Sequence, residues 1–101
     1  MAYQVEIERQ VRAFYESLGP DARKAVKRAL QGLANERGDI RSLEAPLDGY
    51  CRLRVGAFRI LFRYVEGRRI RCVYLERRKL VYELFEDEMI RRLSDPGGPE
   101  T

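Results

Sequence analysis

The sequence predicts an α+β domain: a small, largely antiparallel sheet with two N-terminal helices packed on one face and a short C-terminal helix, in the order β-α-α-β-β-β-α. Three observations lead there. Residues 11 to 33 repeat their apolar side chains with helical period and are broken once, at Gly19-Pro20. Residues 50 to 75 instead alternate apolar residues with arginine in three runs separated by Gly56-Ala57 and Glu66-Gly67. Helical spacing then returns at Val81, Leu84, Phe85, Met89 and Leu93.

In chain order, Tyr3-Gln4-Val5-Glu6-Ile7 alternates as a short half-buried strand. Val11, Phe14, Tyr15 and Leu18 fall on one face of a first helix. Gly19 stops it, and Pro20 suits the first position of the next, with Asp21 favourable near the positive helix end. Ala22, Val26, Ala29, Leu30 and Leu33 carry that second helix to about Asn35. Residues 36 to 49 hold no sustained period, and Gly38, Pro46 and Asp48-Gly49 mark them as a loop. In the first arginine strand Cys51, Leu53 and Val55 share a face opposite Tyr50, Arg52 and Arg54. In the second, Phe58, Ile60, Phe62 and Tyr64 oppose Arg59, Leu61, Arg63 and Val65. The third, Arg69 to Leu75, places Ile70, Cys72 and Tyr74 against Arg69 and Arg71. Residues 1–93 form a single domain, which suits a chain of 101 residues. Pro96-Gly97-Gly98-Pro99 assigns 94–101 to a disordered tail.

Composition removes several functions. No apolar run approaches the roughly 18 residues of a membrane span, and no signal-peptide core opens the chain, so a soluble, cytoplasmic protein is expected. The chain has no histidine, which removes Ser-His-Asp and Cys-His catalysis. Its two cysteines, Cys51 and Cys72, form no CxxC, and a reducing compartment makes them small buried hydrophobes rather than a disulfide. No metal and no small-molecule cofactor is expected, and neither Gly56 nor Gly67 belongs to a phosphate-cradling glycine motif. Catalysis would have to come from Arg, Lys, Tyr and carboxylates.

The overall charge of +4 is unevenly spread. From Arg52 to Lys79 there are ten basic residues, nine of them arginine, against Glu66 and Glu76 alone, a local net of +8; the remainder carries −4. Any single strand arginine is ordinarily a solvated, edge-protecting side chain. As a group, Arg52, Arg54, Arg59 and Arg63 lie on adjacent hairpin strands with no acid between them in sequence. Facing like charges cost stability unless an anion sits among them, and guanidinium forks suit phosphate. A polyanion partner follows.

The run from Leu47 to Phe62, LDGYCRLRVGAFRILF, resembles the signature hairpin of the RelE/ParE toxin superfamily, and Glu76-Arg77-Arg78-Lys79-Leu80-Val81-Tyr82 resembles the segment after its last strand. The resemblance covers about residues 3 to 93. It implies the toxin of a type II toxin–antitoxin system, partnered by a cognate antitoxin. Within the superfamily, RelE-like members are ribosome-dependent mRNA endoribonucleases, whereas ParE-like members inhibit DNA gyrase without nuclease residues. This chain resembles the nuclease branch at Arg52 and Arg54 around Leu53, at Arg59, at Arg78 and at Tyr82, although Arg stands at 52 and 54 where the best-known members carry Lys. The RelE-like branch is therefore expected, with ribosome and mRNA as further partners and a ParE-like gyrase inhibitor as the alternative.

The chemistry is coherent with those residues. Cleavage by the RNA's own 2′-hydroxyl needs a proton acceptor, positive charge on the developing phosphorane, and support for the 5′ leaving oxygen. Tyr82 is the candidate base, Arg52, Arg54 and Arg59 the phosphate field, and Arg78 the leaving-group residue, with Arg77 adjoining it as the competitor for that role. Arg63, Arg77 and Lys79 are candidate RNA-phosphate contacts. So weak an acid–base set predicts slow cleavage unless the ribosome positions the substrate.

Overall fold

The computed structural model describes residues 2–77 and 81–94, and side chains through residue 91 except that of residue 81. Eight elements follow one another: β1 (Gln4–Ile7), α1 (Arg9–Ser17), α2 (Pro20–Leu33), β2 (Asp39–Ser42), β3 (Cys51–Val55), β4 (Phe58–Val65), β5 (Arg69–Arg77) and α3 (Val81–Ser94). The strands form one sheet in the order β1-β5-β4-β3-β2, with β1 parallel to β5 and every other pair antiparallel. The predicted α+β architecture is present, with a fifth strand, β2, between the helix pair and the arginine hairpin.

The helix pair forms as its sequence requires. Leu18 N–H bonds to the Tyr15 carbonyl and ends α1, and α2 starts with Pro20 after Gly19 and carries Asp21 in its first turn. Val11, Val26 and Leu33 are fully buried against Leu53, Ile60, Phe62, Ile70, Cys72 and Leu75 of the sheet. Each such side chain contributes about 1.5–3 kcal/mol relative to exposure. This is the main core. On the other face, α3 buries Phe85 among Leu47, Leu61, Val73 and Tyr74, flanked by Tyr50, Tyr82, Leu84 and Met89. None of the described helices is long and apolar enough to cross a membrane.

Two expectations are corrected. Residues 39–42 are not loop: β2 pairs with β3, setting Asp39 opposite Arg54, Ile40 opposite Leu53 and Arg41 opposite Arg52. Gly38 brings the chain into this strand at φ +116°, so close to the core that a Cβ there would stand 2.7 Å from Leu53 Cδ1. Secondly, β5 runs to Arg77 and changes phase partway. Leu61 pairs with Tyr74 but Phe62 pairs with Cys72, which leaves Val73 as an extra residue on β5. Beyond this bulge Leu75 joins Cys72 in the main core, and Tyr74 turns to the α3 face rather than sharing a face with Cys72.

The cysteines occupy one cross-sheet row, Cys51 opposite Phe62 and Phe62 opposite Cys72. Two strand spacings separate them by about 10 Å, beyond the roughly 7 Å over which a disulfide closes. Both are free thiols. Of the expected tail, Ser94 closes α3, and residues 95–101 lie outside the described residues.

Candidate nucleic-acid interface

Alternation along β2, β3, β4 and β5 sends one set of side chains to the main core and the other to the α3 face. Three of the cross-sheet rows on that second face carry the candidate arginines. The first reads Asp39, Arg54, Arg59, Glu76; the second Arg41, Arg52, Leu61, Tyr74; the third Arg63, Arg71, Glu6. Arg52, Arg54, Arg59 and Arg63 therefore do share a face. The expectation that no acid stands among them is corrected in space: β2, β5 and β1 bring in Asp39, Glu76 and Glu6.

The arginines differ in how they are held. Arg52 is only 9% exposed, and its Nη1 lies 3.6 Å from the Asp39 carboxylate and donates to the Asp39 carbonyl at 3.3 Å. Arg59, equally buried, folds its Nη1 back over the β3–β4 turn to donate to the carbonyls of Gly56 at 3.2 Å and Phe58 at 3.1 Å. This relieves its direct opposition to Arg54, since carbonyl dipoles meet a charge that would otherwise face another. Arg54 is exposed. Arg63 is half-buried, with its Nε enclosed and lacking a hydrogen-bond partner, a condition that ordinarily costs about 1–3 kcal/mol. Arg71 and Arg69 both reach Glu6, at 3.4 and 3.3 Å.

Tyr82, in the first turn of α3, is half-buried and packs into the cluster containing Leu61 and Tyr74. Those two residues form the apolar half of the second row, between the Arg54–Arg59 row and the Arg63–Arg71 row. Tyr74 is a second phenol on this face. Burial raises its pKa, with Glu88 and Glu76 adding to the effect against Arg91, so it stays protonated at neutral pH. Tyr50 stacks edge-on with Phe85 at 5.1 Å and donates to Met89 Sδ at 3.8 Å, fixing α3 over the sheet.

Arg77 lies elsewhere. Its guanidinium covers the Phe58 ring at 5.1 Å, and Phe58 meets Phe14 of α1, so Arg77 belongs to the helix-pair face. Arg78 and Lys79 lie outside the described residues. Sequence reasoning missed Asp39, Arg41 and Glu76 as members of the face. Only the pairing of β2 reveals the first two, and Glu76 is identified by its position opposite Arg59. The face offers fixed guanidinium charge, the carboxylates of Asp39, Glu76 and Glu6, and the phenols of Tyr74 and Tyr82 at an apolar strip. It can bind a phosphodiester and polarise it.

No protein-family model matches the chain, and no curated protein sequence matches it. Solved structures do. The RelBE2 toxin–antitoxin complex from Mycobacterium tuberculosis superposes with a TM-score of 0.69 at 23% identity, covering 77% of this chain and 100% of that one. The archaeal RelE–RelB complex from Pyrococcus horikoshii gives 0.64 at 24%, covering 77% and 97%. A free mutant form of the E. coli toxin RelE gives 0.67 at 14%, covering 90% and 98%. The fold of this chain is the fold of the RelE toxins, over 77–90% of this chain and 97–100% of theirs.

Proposed function

We propose that this chain is the toxin of a type II toxin–antitoxin pair and acts as a ribosome-dependent endoribonuclease. Its main support is the clustering of Arg52, Arg54 and Arg59 on one sheet face of a RelE-like fold, with Tyr82 packed into the apolar strip beside them. Tyr82 takes the proton from the 2′-hydroxyl. Arg54 and Arg59 bind the scissile phosphate and stabilise the phosphorane, and Arg52 adds positive field from its anchored position. Arg78 supports the leaving oxygen. Arg77, stacked on Phe58 across the sheet, is the poorer candidate for that role. A guanidinium stays charged at any working pH, so it stabilises the leaving group by charge and hydrogen bonding rather than by giving up a proton. Arg63 and Lys79 extend the phosphate contacts.

The antitoxin is a small acidic partner. The structural neighbours from M. tuberculosis and P. horikoshii are themselves complexes with an antitoxin. Beside edge strand β1, a groove of about 420 Å³ has Val5, Ile7, Leu30 and Ala34 in its lining with Arg12 and Lys27. An amphipathic acidic segment suits that lining, and the open edge of β1 suits an added strand.

The test is 5′-end mapping of mRNA on purified ribosomes incubated with the protein, beside a gyrase supercoiling assay. New 5′ ends that require ribosomes are expected. Intact mRNA together with inhibited supercoiling would overturn the proposal in favour of a gyrase inhibitor.

A further inference from the structure

Of the arginines on the α3 face, the two most buried are engaged internally: Arg52 by Asp39 and Arg59 by the turn carbonyls. Arg71 is held by Glu6. Among the described residues, the side chains of Arg54 and Arg41 make neither a hydrogen bond nor an ion pair, and both are exposed. Arg41 belongs to β2. Its backbone pairs with Arg52, and its neighbour Ile40 packs against the main core, which sends Arg41 to the α3 face.

Arg41 stands diagonally across the β2–β3 ladder from Arg54, because Asp39 is opposite Arg54 and Arg41 opposite Arg52. Diagonal neighbours of this kind lie about 7–8 Å apart, a spacing of the same order as that between successive phosphates of an extended single strand. Two exposed arginines rooted at that separation can each extend to one phosphate without first breaking an internal contact. The edge position matters as well. β2 ends the sheet, so nothing beyond it in the sheet order blocks a strand running past Arg41.

We propose that Arg41 and Arg54 form a two-phosphate grip that carries single-stranded RNA across the β2 edge toward the apolar strip where Tyr82 packs. The proposal rests on the RNA reading of the face and adds a binding residue to it. Arg41 binds and aligns; it takes no part in bond breaking. Its exposed edge position makes Arg41→Gln neutral for folding, which a thermal melt matching the parent verifies.

The test measures binding of a fluorescein-labelled single-stranded oligouridylate as a function of salt. Each phosphate neutralised on a single strand contributes about 0.7 to the slope of log affinity against log salt. R41Q and R54Q should each lower the slope by about 0.7, so that the affinity lost between about 50 and 200 mM salt shrinks by about 2.6-fold. The double variant should lower the slope by about 1.4. R28Q, at an exposed position of α2 across the sheet, should match the parent. A parental slope for R41Q beside a lowered slope for R54Q would overturn the grip and leave the RNA reading standing. Parental slopes for both, with a lowered slope for R28Q, would place RNA on the helix-pair face and overturn both.

Discussion

Replacing Asp39 with alanine tests how the arginine face is assembled. Asp39 opens a strand that has one apolar residue, Ile40, facing the core, and its carboxylate stands 3.6 Å from a guanidinium whose side chain is 11% exposed. At that separation the pair is worth about 1 kcal/mol at the dielectric of water and about 4–5 kcal/mol at an effective value of 20. Asp39 is itself 51% exposed, which places the interaction toward the lower figure. The main-chain carbonyl of residue 39 continues to accept from Arg52, so part of the compensation survives the substitution. A loss of about 1–2 kcal/mol is expected, or roughly 5–15 °C in melting temperature for a domain of about 100 residues. Thermal unfolding followed by circular dichroism reads it. Because Asp39 is half exposed, part of the difference should be lost in about 0.5 M salt, where exposed charges are screened. A melting temperature within about 1 °C of the parent would refute the idea that Asp39 holds Arg52 in place.

Gly38→Ala should destabilise by about 1–3 kcal/mol, since φ is +116° and the new methyl would press on Leu53 Cδ1; an unchanged urea midpoint would contradict this. Cys72 is fully buried, and burial, with Glu8 adding, pushes its thiol up to about 12, so it should resist thiol reagents in the native protein. The folded thiol keeps its proton while the unfolded one ionises from about 8.5. Its contribution is therefore complete below that pH and declines as pH rises toward 12. Cys72→Val should flatten this alkaline loss relative to the parent in urea titrations, and an identical decline in both would count against it.

What was legible in the sequence had a local signature. The helix pair was visible because Gly19-Pro20 punctuates two clean apolar stripes, and β3 and β4 because arginine recurs at alternate positions, Arg52 and Arg54 in one and Arg59 and Arg63 in the other. β2 was not, since Asp39-Ile40-Arg41-Ser42 offers one apolar residue and its stability comes from pairing with β3. The phase change in β5 was hidden for the opposite reason. Cys72-Val73-Tyr74-Leu75 is apolar throughout, because the main core lies on one side and α3 on the other, and a continuous apolar run does not reveal where a bulge falls. The candidate site shows the same division. That Arg52, Arg54 and Arg59 share a face follows from alternation alone, whereas the inward turn of Arg52 and Arg59 depends on a carboxylate 13 positions away and on turn carbonyls. The stacking of Arg77 on Phe58 is a cross-strand relation, which adjacency to Arg78 in sequence conceals.

The central claim is that Tyr82 acts as the base for RNA cleavage beside this arginine face, and Tyr82→Phe tests it most directly. The substitution keeps the half-buried ring that packs with the Leu61–Tyr74 cluster and removes only the hydroxyl. The measurement is the rate of cleavage of ribosome-bound mRNA by the variant, with its fold verified by circular dichroism and its ribosome binding measured in parallel. The expected result is a rate lower by about 10²–10⁴-fold with binding near that of the parent. A folded Tyr82→Phe protein that cuts ribosome-bound mRNA as fast as the parent would contradict the assignment.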